Sequence, residues 1–192
     1  MNYALAAVAI KFIRRIEMYN QRENKCYKIR NAALQDLDDI AALESICFPK
    51  KEAASRESFE NRLQVFADYF WLLEQRENNA EDGKLVSMVN GMLTDATDLV
   101  DEMYENSNMH TEDGKWFMIF GVETRPEYQK KGLAGLLLKH VIEEIRKKDK
   151  SGIVLTCKEE LLKFYEKFGF KNEGISRSTH GDVVWYQMRL KF

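Results

Sequence analysis

The chain has 192 residues, 45% hydrophobic and 31% charged, the balance expected of a soluble globular domain rather than of a disordered or fibrous chain. Against 31 acidic side chains stand 29 basic ones, a net charge of -2, so no global field gathers nucleic acid and a phosphate site would have to be built locally. Cys26, Cys47 and Cys157 lie far apart with no CxxC pair, which argues against structural zinc and a disulfide framework and suits a reducing cytoplasm.

Residues 1–24 read as an N-terminal extension and residues 25–192 as one domain, long enough to bury a core unaided. The apolar run 3–10 precedes Lys11, Arg14 and Arg15, the reverse of the charge order in a secretory signal. It is also too short to span a bilayer, so it reads as an amphipathic extension or as sequence upstream of a start at Met18. No membrane association is expected.

Residues 25–30 (KCYKIR) form the first expected strand. Asp36 opens a helix in which Leu37, Ile40, Leu43, Ile46 and Cys47 share a face, and Pro49 ends it. Ser55, or the competing Ser58, caps a second helix through Phe70, with Phe59, Leu63 and Phe66 inward. Trp71, Leu72 and Leu73 start a strand, residues 81–84 (EDGK) make its hairpin turn, and residues 85–93 are the partner. Residues 94–115 are a polar, acidic insertion with a short helix around 99–104; a segment of that length between strands is commonly functional or mobile. Residues 116–122 (WFMIFGV) have the unbroken apolar character of a strand buried on both faces. A helix over 130–148 turns Leu133, Leu136, Leu137, His140, Val141 and Ile145 inward. A strand over 153–156, a helix over 159–168, a hairpin region over 174–182 and a last strand over 183–190 follow. This order predicts an α/β (α+β) domain with a mixed sheet flanked by helices.

The stretch RPEYQKKGLAGLLL, residues 125–138, carries the strongest chemical signal. A buried strand leaves through Pro126 and a helix follows Gln129, Lys130, Lys131, Gly132, Leu133, Ala134 and Gly135. The first amides of a helix have no intrahelical acceptor and sit at the positive end of its dipole; Gly132 and Ala134 leave that backbone open to a diphosphate. Neither GxxxxGK[ST] nor GxGxxG is present, and a well-capped surface helix with two solvated lysines is the plainer alternative.

These residues resemble the Q/R-x-x-G-x-G/A signature of the GNAT superfamily of N-acetyltransferases, which follows a strand ending near P-x-Y/F. The resemblance runs over about residues 27–190 and implies the GNAT fold, with a mostly antiparallel mixed sheet. It implies acetyl-CoA as cosubstrate, its diphosphate on residues 129–135 and its pantetheine arm along the backbone of Val122 and Thr124, with no metal. The segment LTCKEELLKFYEKFGF, residues 155–170, resembles the family's Y-x-x-x-G-F element, and Tyr165 stands where the family's general acid commonly stands. A phenol near the sulfur can protonate the departing thiolate; a core aromatic beside Phe164 and Phe168 is the other reading.

That segment, the early ICFP and the long insertion resemble the arylalkylamine (serotonin) N-acetyltransferase branch most closely. The histidines which that branch carries on the cofactor strand are replaced here by Met118 and Phe120. His110, Glu123, His180 or water remain as candidates for the base. Cys157, without a neighbouring histidine, reads as a buried strand-end residue, so direct transfer without an acyl-enzyme is expected. The resemblance thus implies a small-molecule amine as acceptor, with a peptide amine or a non-catalytic acyl-CoA-binding regulator as rivals. The carboxylates of Asp98, Asp101 and Glu102 either attract a cationic acceptor or form a solvated surface.

Overall fold

The computed structural model describes residues 25–77 and 83–192. The N-terminal run and residues 81 and 82 of the hairpin turn therefore lie outside the described residues. The sheet contains β1 (Lys25–Asn31), β2 (Phe70–Glu77), β3 (Lys84–Thr94), β4 (Trp116–Thr124), β5 (Gly152–Cys157), β6 (Lys171–Ile175) and β7 (Tyr186–Lys191). Their spatial order is β1-β2-β3-β4-β5-β7-β6. Only β4 and β5 pair in parallel, so the expected mixed, mostly antiparallel sheet is present.

The helices are α1 (Leu37–Cys47), α2 (Arg56–Phe66), α3 (Glu102–Glu105), α4 (Leu133–Lys147) and α5 (Leu162–Glu166). β3 is buried from Leu85 to Thr94, as a strand covered on both faces must be, and α1 and α4 both pack on it. Ile40, Leu43, Phe59 and Phe66 from the first two helices and Leu137, Val141 and Ile145 from α4 join Phe70, Met88, Met92 and Phe117 in one core.

Several boundaries differ from the sequence reading. Asp36 stands at the N-terminal boundary of α1 as expected, but its side chain makes no cap bond: the carboxylate accepts from Ala33 N–H at 2.8 Å and from Arg30 at 2.6 and 2.7 Å, closing the preceding 3-10 turn. Ser55 caps α2 by accepting from Ser58 N–H at 3.0 Å. That helix ends at Phe66, because Tyr69 and Phe70 are drawn into the core and Phe70 already belongs to β2. α4 begins at Leu133 and not at residue 130, since Lys130 (φ 58°) and Gly132 (φ 89°) hold left-handed backbone that no α-helix can contain. On α4, Leu138 and Ile142 are buried while Leu136 and His140 are only half-buried. The expected helix at 159–168 is a 3-10 turn followed by the short α5. β6 starts before the expected hairpin region, and β7 starts only at Tyr186 because residues 176–185 make a loop.

One irregularity organises the sheet. On β3, Asn90 faces Gly121 of β4 but the next residue, Gly91, faces Ile119, so Phe120 has no partner. This is a β-bulge, which bends the strand that carries it. β4 and β5 pair from Trp116↔Gly152 to Ile119↔Leu155 and then separate; β4 follows β3 out to Thr124 while β5 follows β7 out to Cys157. Gly91 is required opposite the bulge, because a Cβ there would stand 2.1 Å from the Met118 carbonyl oxygen, a backbone atom that cannot step aside. Gly91→Ala is therefore expected to lower unfolding free energy by about 2 kcal/mol in chemical denaturation.

Candidate active site

Where β4 leaves β5, its outer edge has no strand partner. Arg125 N–H donates to Val86 O at 2.9 Å and the Glu123 carbonyl accepts from Ser87, so both face β3. Strand alternation turns the amides and carbonyls of Val122 and Thr124 the other way, toward the gap beside β5. On this side Gln129 Nε2 donates to Thr124 O at 3.1 Å and ties the following loop to the strand end. Beyond the left-handed Lys130 and Gly132, Leu136 N–H donates to Gly132 O at 3.0 Å. The amides of Leu133, Ala134 and Gly135 precede that bond and have no helical acceptor. Lys131 Nζ lies 5.2 Å from the centre of the Tyr128 ring. Loop, helix start and strand edge thus form one continuous surface of backbone donors and acceptors.

The gap opens into a cleft of about 120 Å³. Phe48, Tyr104, Phe120 and Trp185 supply aromatic wall, while Glu44, Arg62, Asn90 and Glu123 lie on one side and Cys157 and Tyr165 on the other. Tyr165 is buried on α5 with its ring centre 5.0 Å from Phe164 and 5.9 Å from Phe170. Its hydroxyl has no hydrogen-bond partner among the described residues. Burial, reinforced by Cys157 and Glu123, pushes that phenol well above its ordinary range, so it keeps its proton at any working pH.

Glu123 is 1% exposed, neither of its carboxyl oxygens meets a hydrogen-bond donor, and the buried carboxyl of Glu44 lines the same cleft. Burial first, then Glu44, raises the Glu123 pKa well above the carboxylate range. Gly121 makes room for this side chain, since a Cβ there would stand 1.9 Å from Glu123 Oε1.

The two histidines have different surroundings. His110 stacks on Phe66 at 5.0 Å and leans on Tyr69 at 5.3 Å; its Nδ1 accepts from Leu93 N–H at 3.2 Å and its Nε2 meets Glu112 at 3.2 Å. It lies outside the cleft and anchors the insertion. His180 lines the cleft, stacked on Tyr104 at 5.1 Å with Nε2 2.9 Å from Glu52 O. A carbonyl only accepts, so Nε2 carries the proton. Of the matching strand positions, Met118 is core and Phe120 is cleft wall. Cys157 is buried, its thiol pushed up to about 12 chiefly by burial, which leaves no thiolate for nucleophilic attack.

The acidic insertion reaches the cleft through other residues than its aspartates. Asp98 is tied to Arg189 and Gln187 at 2.8 Å, Asp101 to Ser178 and to Thr179 N–H at 3.0 Å, and Glu102 to Asn106 at 3.2 Å. Tyr104 and Glu105 are the insertion residues that line the cleft. Glu44, Glu52, Arg62 and Asn90 were missing from the sequence reading. Two of them left a signal: Glu44, four residues after Ile40, and Arg62, three after Phe59, place a charge on the buried side of an amphipathic helix. Among the described residues no cluster of His, Cys, Asp and Glu is arranged to hold a metal, and no helix is long and apolar enough to cross a membrane.

The native fold keeps the Glu123 proton that an unfolded chain releases near the ordinary glutamate pKa of about 4.3. Stability contributed by this group therefore falls as pH rises through that value and continues to fall until the native group ionises. Glu123→Gln is expected to raise the thermal midpoint, by a larger margin at about pH 8 than at about pH 5. An equal margin at both values would show that Glu123 ionises normally in the native state.

The model of the acetyltransferase (GNAT) family matches residues 36–170. No curated protein sequence matches the chain. Among solved structures it is similar to the loading GNATL domain of CurA from Lyngbya majuscula, with a TM-score of 0.72 and 20% identity over 86% of this chain and 98% of that one. The ribosomal-protein-S18-alanine N-acetyltransferase from Escherichia coli aligns with a TM-score of 0.62 and 18% identity over 86% and 94%. PaiA N-acetyltransferase from Thermoplasma acidophilum, in complex with coenzyme A, aligns at 0.61 and 16% over 87% and 99%. With its sheet parted beside β4 and a family match across most of its length, the chain belongs to the acetyltransferase (GNAT) family and is an acyltransferase that uses acyl-CoA.

Proposed function

We propose that this protein transfers acetyl from acetyl-CoA directly to a small primary amine with an aromatic or apolar body, as in the arylalkylamine branch. The observation that carries the reading is the pairing of two protonated groups across one cleft: Tyr165 on the β5 side and Glu123 on the β4 side, beside the free edge of β4. Acetyl-CoA would supply the acetyl group and leave as the thiol. Val122 and Thr124 would hold its arm by their backbone, and Gln129, Lys130, Lys131, Gly132, Leu133, Ala134 and Gly135 its diphosphate. Tyr165 Oη donates the proton that the sulfur requires, and Glu123, once its own proton has been released to solvent, receives the one that the ammonium must lose before it can attack. The aromatic wall suits a flat apolar body, and the carboxyl groups below it suit a cation.

Cleft size favours a small acceptor over a peptide. Tyr104 from the insertion stacks on His180 from the β6–β7 loop, and this bridge narrows the cleft that both residues line. The uncommitted hydroxyl of Tyr165 favours an enzyme over a regulator that only binds acyl-CoA.

Tyr165→Phe keeps the ring and removes a hydroxyl that bonds to nothing in the described structure, so thermal stability is expected to hold while kcat falls on the order of 10²-fold and KM for acetyl-CoA changes little. Native turnover in the variant would reduce Tyr165 to a packing residue. A panel of arylalkylamines, polyamines and short peptides with free N-termini, read by thiol release, tests the acceptor class; peptide turnover without small-amine turnover would reverse the assignment. Gly132→Val places a β-branched residue at a left-handed position inside the cradle and is expected to weaken CoA binding at least about tenfold with the fold intact by circular dichroism. Unchanged affinity would move the diphosphate elsewhere.

A further inference from the structure

Three buried ionisable groups share the floor of the cleft: Glu123 at 1% exposure, Arg62 at 3% and Glu44 at 5%. The Arg62 guanidinium lies 4.8 Å from the centre of the Phe120 ring and 5.3 Å from that of Phe59. It donates to Tyr104 O at 2.6 Å and Asn90 Oδ1 at 3.4 Å, while its buried Nε has no partner. Among the described residues it has no carboxylate within salt-bridge distance. The two glutamates line the same cleft, both buried, and three of their four oxygens, Glu44 Oε2 and both of Glu123, meet no hydrogen-bond donor. Glu44 Oε1 accepts from Ala54 N–H at 2.8 Å.

Charge balance limits what this compartment can hold. Two carboxylates and one guanidinium would leave a net buried anion, and two carboxylic acids would leave an unbalanced buried cation; one proton on the pair makes the group neutral. The other facing groups do not alter the count. Cys47 on α1 is pushed up to about 11 and Tyr104 of the insertion to about 12, both chiefly by burial, and Tyr165 on α5 is likewise raised. All three stay neutral at working pH. Glu105, which bonds to Ser58, and His180, which bonds to Glu52, lie at the rim, and Arg125 stands beyond the end of β4 with Nε on Leu85 O.

We propose that Glu44 is the working partner of Glu123: the pair holds a single shared proton against the Arg62 charge, releases it when a cationic amine enters, and then takes the amine's own proton. The amine part rests on the function proposed above. At rest the compartment is neutral. An entering ammonium adds one positive charge, the shared proton leaves through Glu44 to the half-exposed lip at Ala54, and two anions then face two cations. The ammonium N–H bond breaks, an O–H bond forms on Glu123, and the neutral amine is free to attack. The pair again holds one proton, and the cycle has released one proton per amine. Glu44 acts through Glu123 as a positioning residue. Its role is to make the second ionisation of the pair hard, and therefore to make the doubly ionised pair a strong base.

The test begins without ligand, on protein carrying carboxyl-labelled [13C]glutamate, by NMR titration of the wild type and Glu44→Gln. The amide keeps the acceptor for Ala54 N–H. Wild type is expected to show two coupled steps sensed by both carboxyls, the upper one above the ordinary glutamate range. Glu44→Gln is expected to leave one step for Glu123, lower than that upper step by at least about one pH unit. An unmoved Glu123 titration, or both glutamates ionised in wild type at about pH 6, overturns the shared proton. Calorimetric titration of 2-phenylethylamine into the CoA-bound protein, in buffers of different ionisation enthalpy, is expected to show about one proton released per amine in wild type and almost none in the variant. Equal release from both overturns Glu44 as the partner. A coupled titration in a protein that acetylates no amine in the panel overturns the proposed function and leaves the shared proton standing. A single uncoupled step in a protein that does acetylate amines overturns the shared proton alone.

Discussion

A parallel pair of strands can open halfway along only if something takes up the backbone groups that lose their partners. In this sheet the unmatched Phe120 turns β4 away from β5, and the strand keeps its hydrogen bonds to β3 while giving up those on its other side. An exposed strand edge invites pairing with another extended chain, and here that edge lies inside a cleft, where a ligand arm can occupy it. The bulge also places the phenyl ring of Phe120 in the cleft, against Arg62 on one side and Tyr104 on the other. Gly91 and Gly121 are the steric conditions for this arrangement, one opposite the bulge and one beneath the Glu123 carboxyl.

The separated strands deliver chemically different groups to the same space. β5 and α5 bring Cys157 and Tyr165, and β4 with α1 and α2 brings Glu123, Glu44 and Arg62. Low polarity acts on all of them in the same sense, disfavouring the charged form. For a phenol this preserves an acid, and for a carboxyl it creates a stronger base once the proton is gone. Arg62 is the exception as a buried cation, and its guanidinium is held by a backbone carbonyl, an amide and two aromatic faces without a dedicated ion pair.

The outer wall is assembled from distant segments. Asp101 of the insertion binds Ser178 and Thr179, Glu52 from the α1–α2 connection binds Lys158 and His180, and Trp185 Nε1 donates to His180 O at 2.7 Å. The insertion carboxylates are thus structural ties for the β6–β7 loop, whereas its aromatic Tyr104 and its Glu105 face the cleft. A run of acidic residues in sequence has no means of showing which of its members will find a partner sixty or more residues away.

Local patterns were enough for the order of strands and helices, for the apolar faces of α1 and α2, for the turn into α4 at Gly132, and for the family, whose marks lie in two contiguous stretches at 125–138 and 155–170. These features depend on neighbours three or four residues apart, and so does their signal in the sequence. The left-handed Lys130, the bulge at Phe120, the late start of β7 and the grouping of Glu44, Arg62 and Glu123 depend on contacts between segments far apart in the chain. His110 and His180 show the difference most plainly: each is a lone histidine beside polar residues in sequence, yet one is packed under the insertion and the other walls the cleft. The sequence by itself determined which elements form and where the start of α4 leaves its first amides without helical acceptors, because backbone geometry and helix-end amides are local properties. Only the tertiary structure decided which carboxyls ionise with difficulty and which face the cleft, because burial and charge pairing are properties of the whole packed chain.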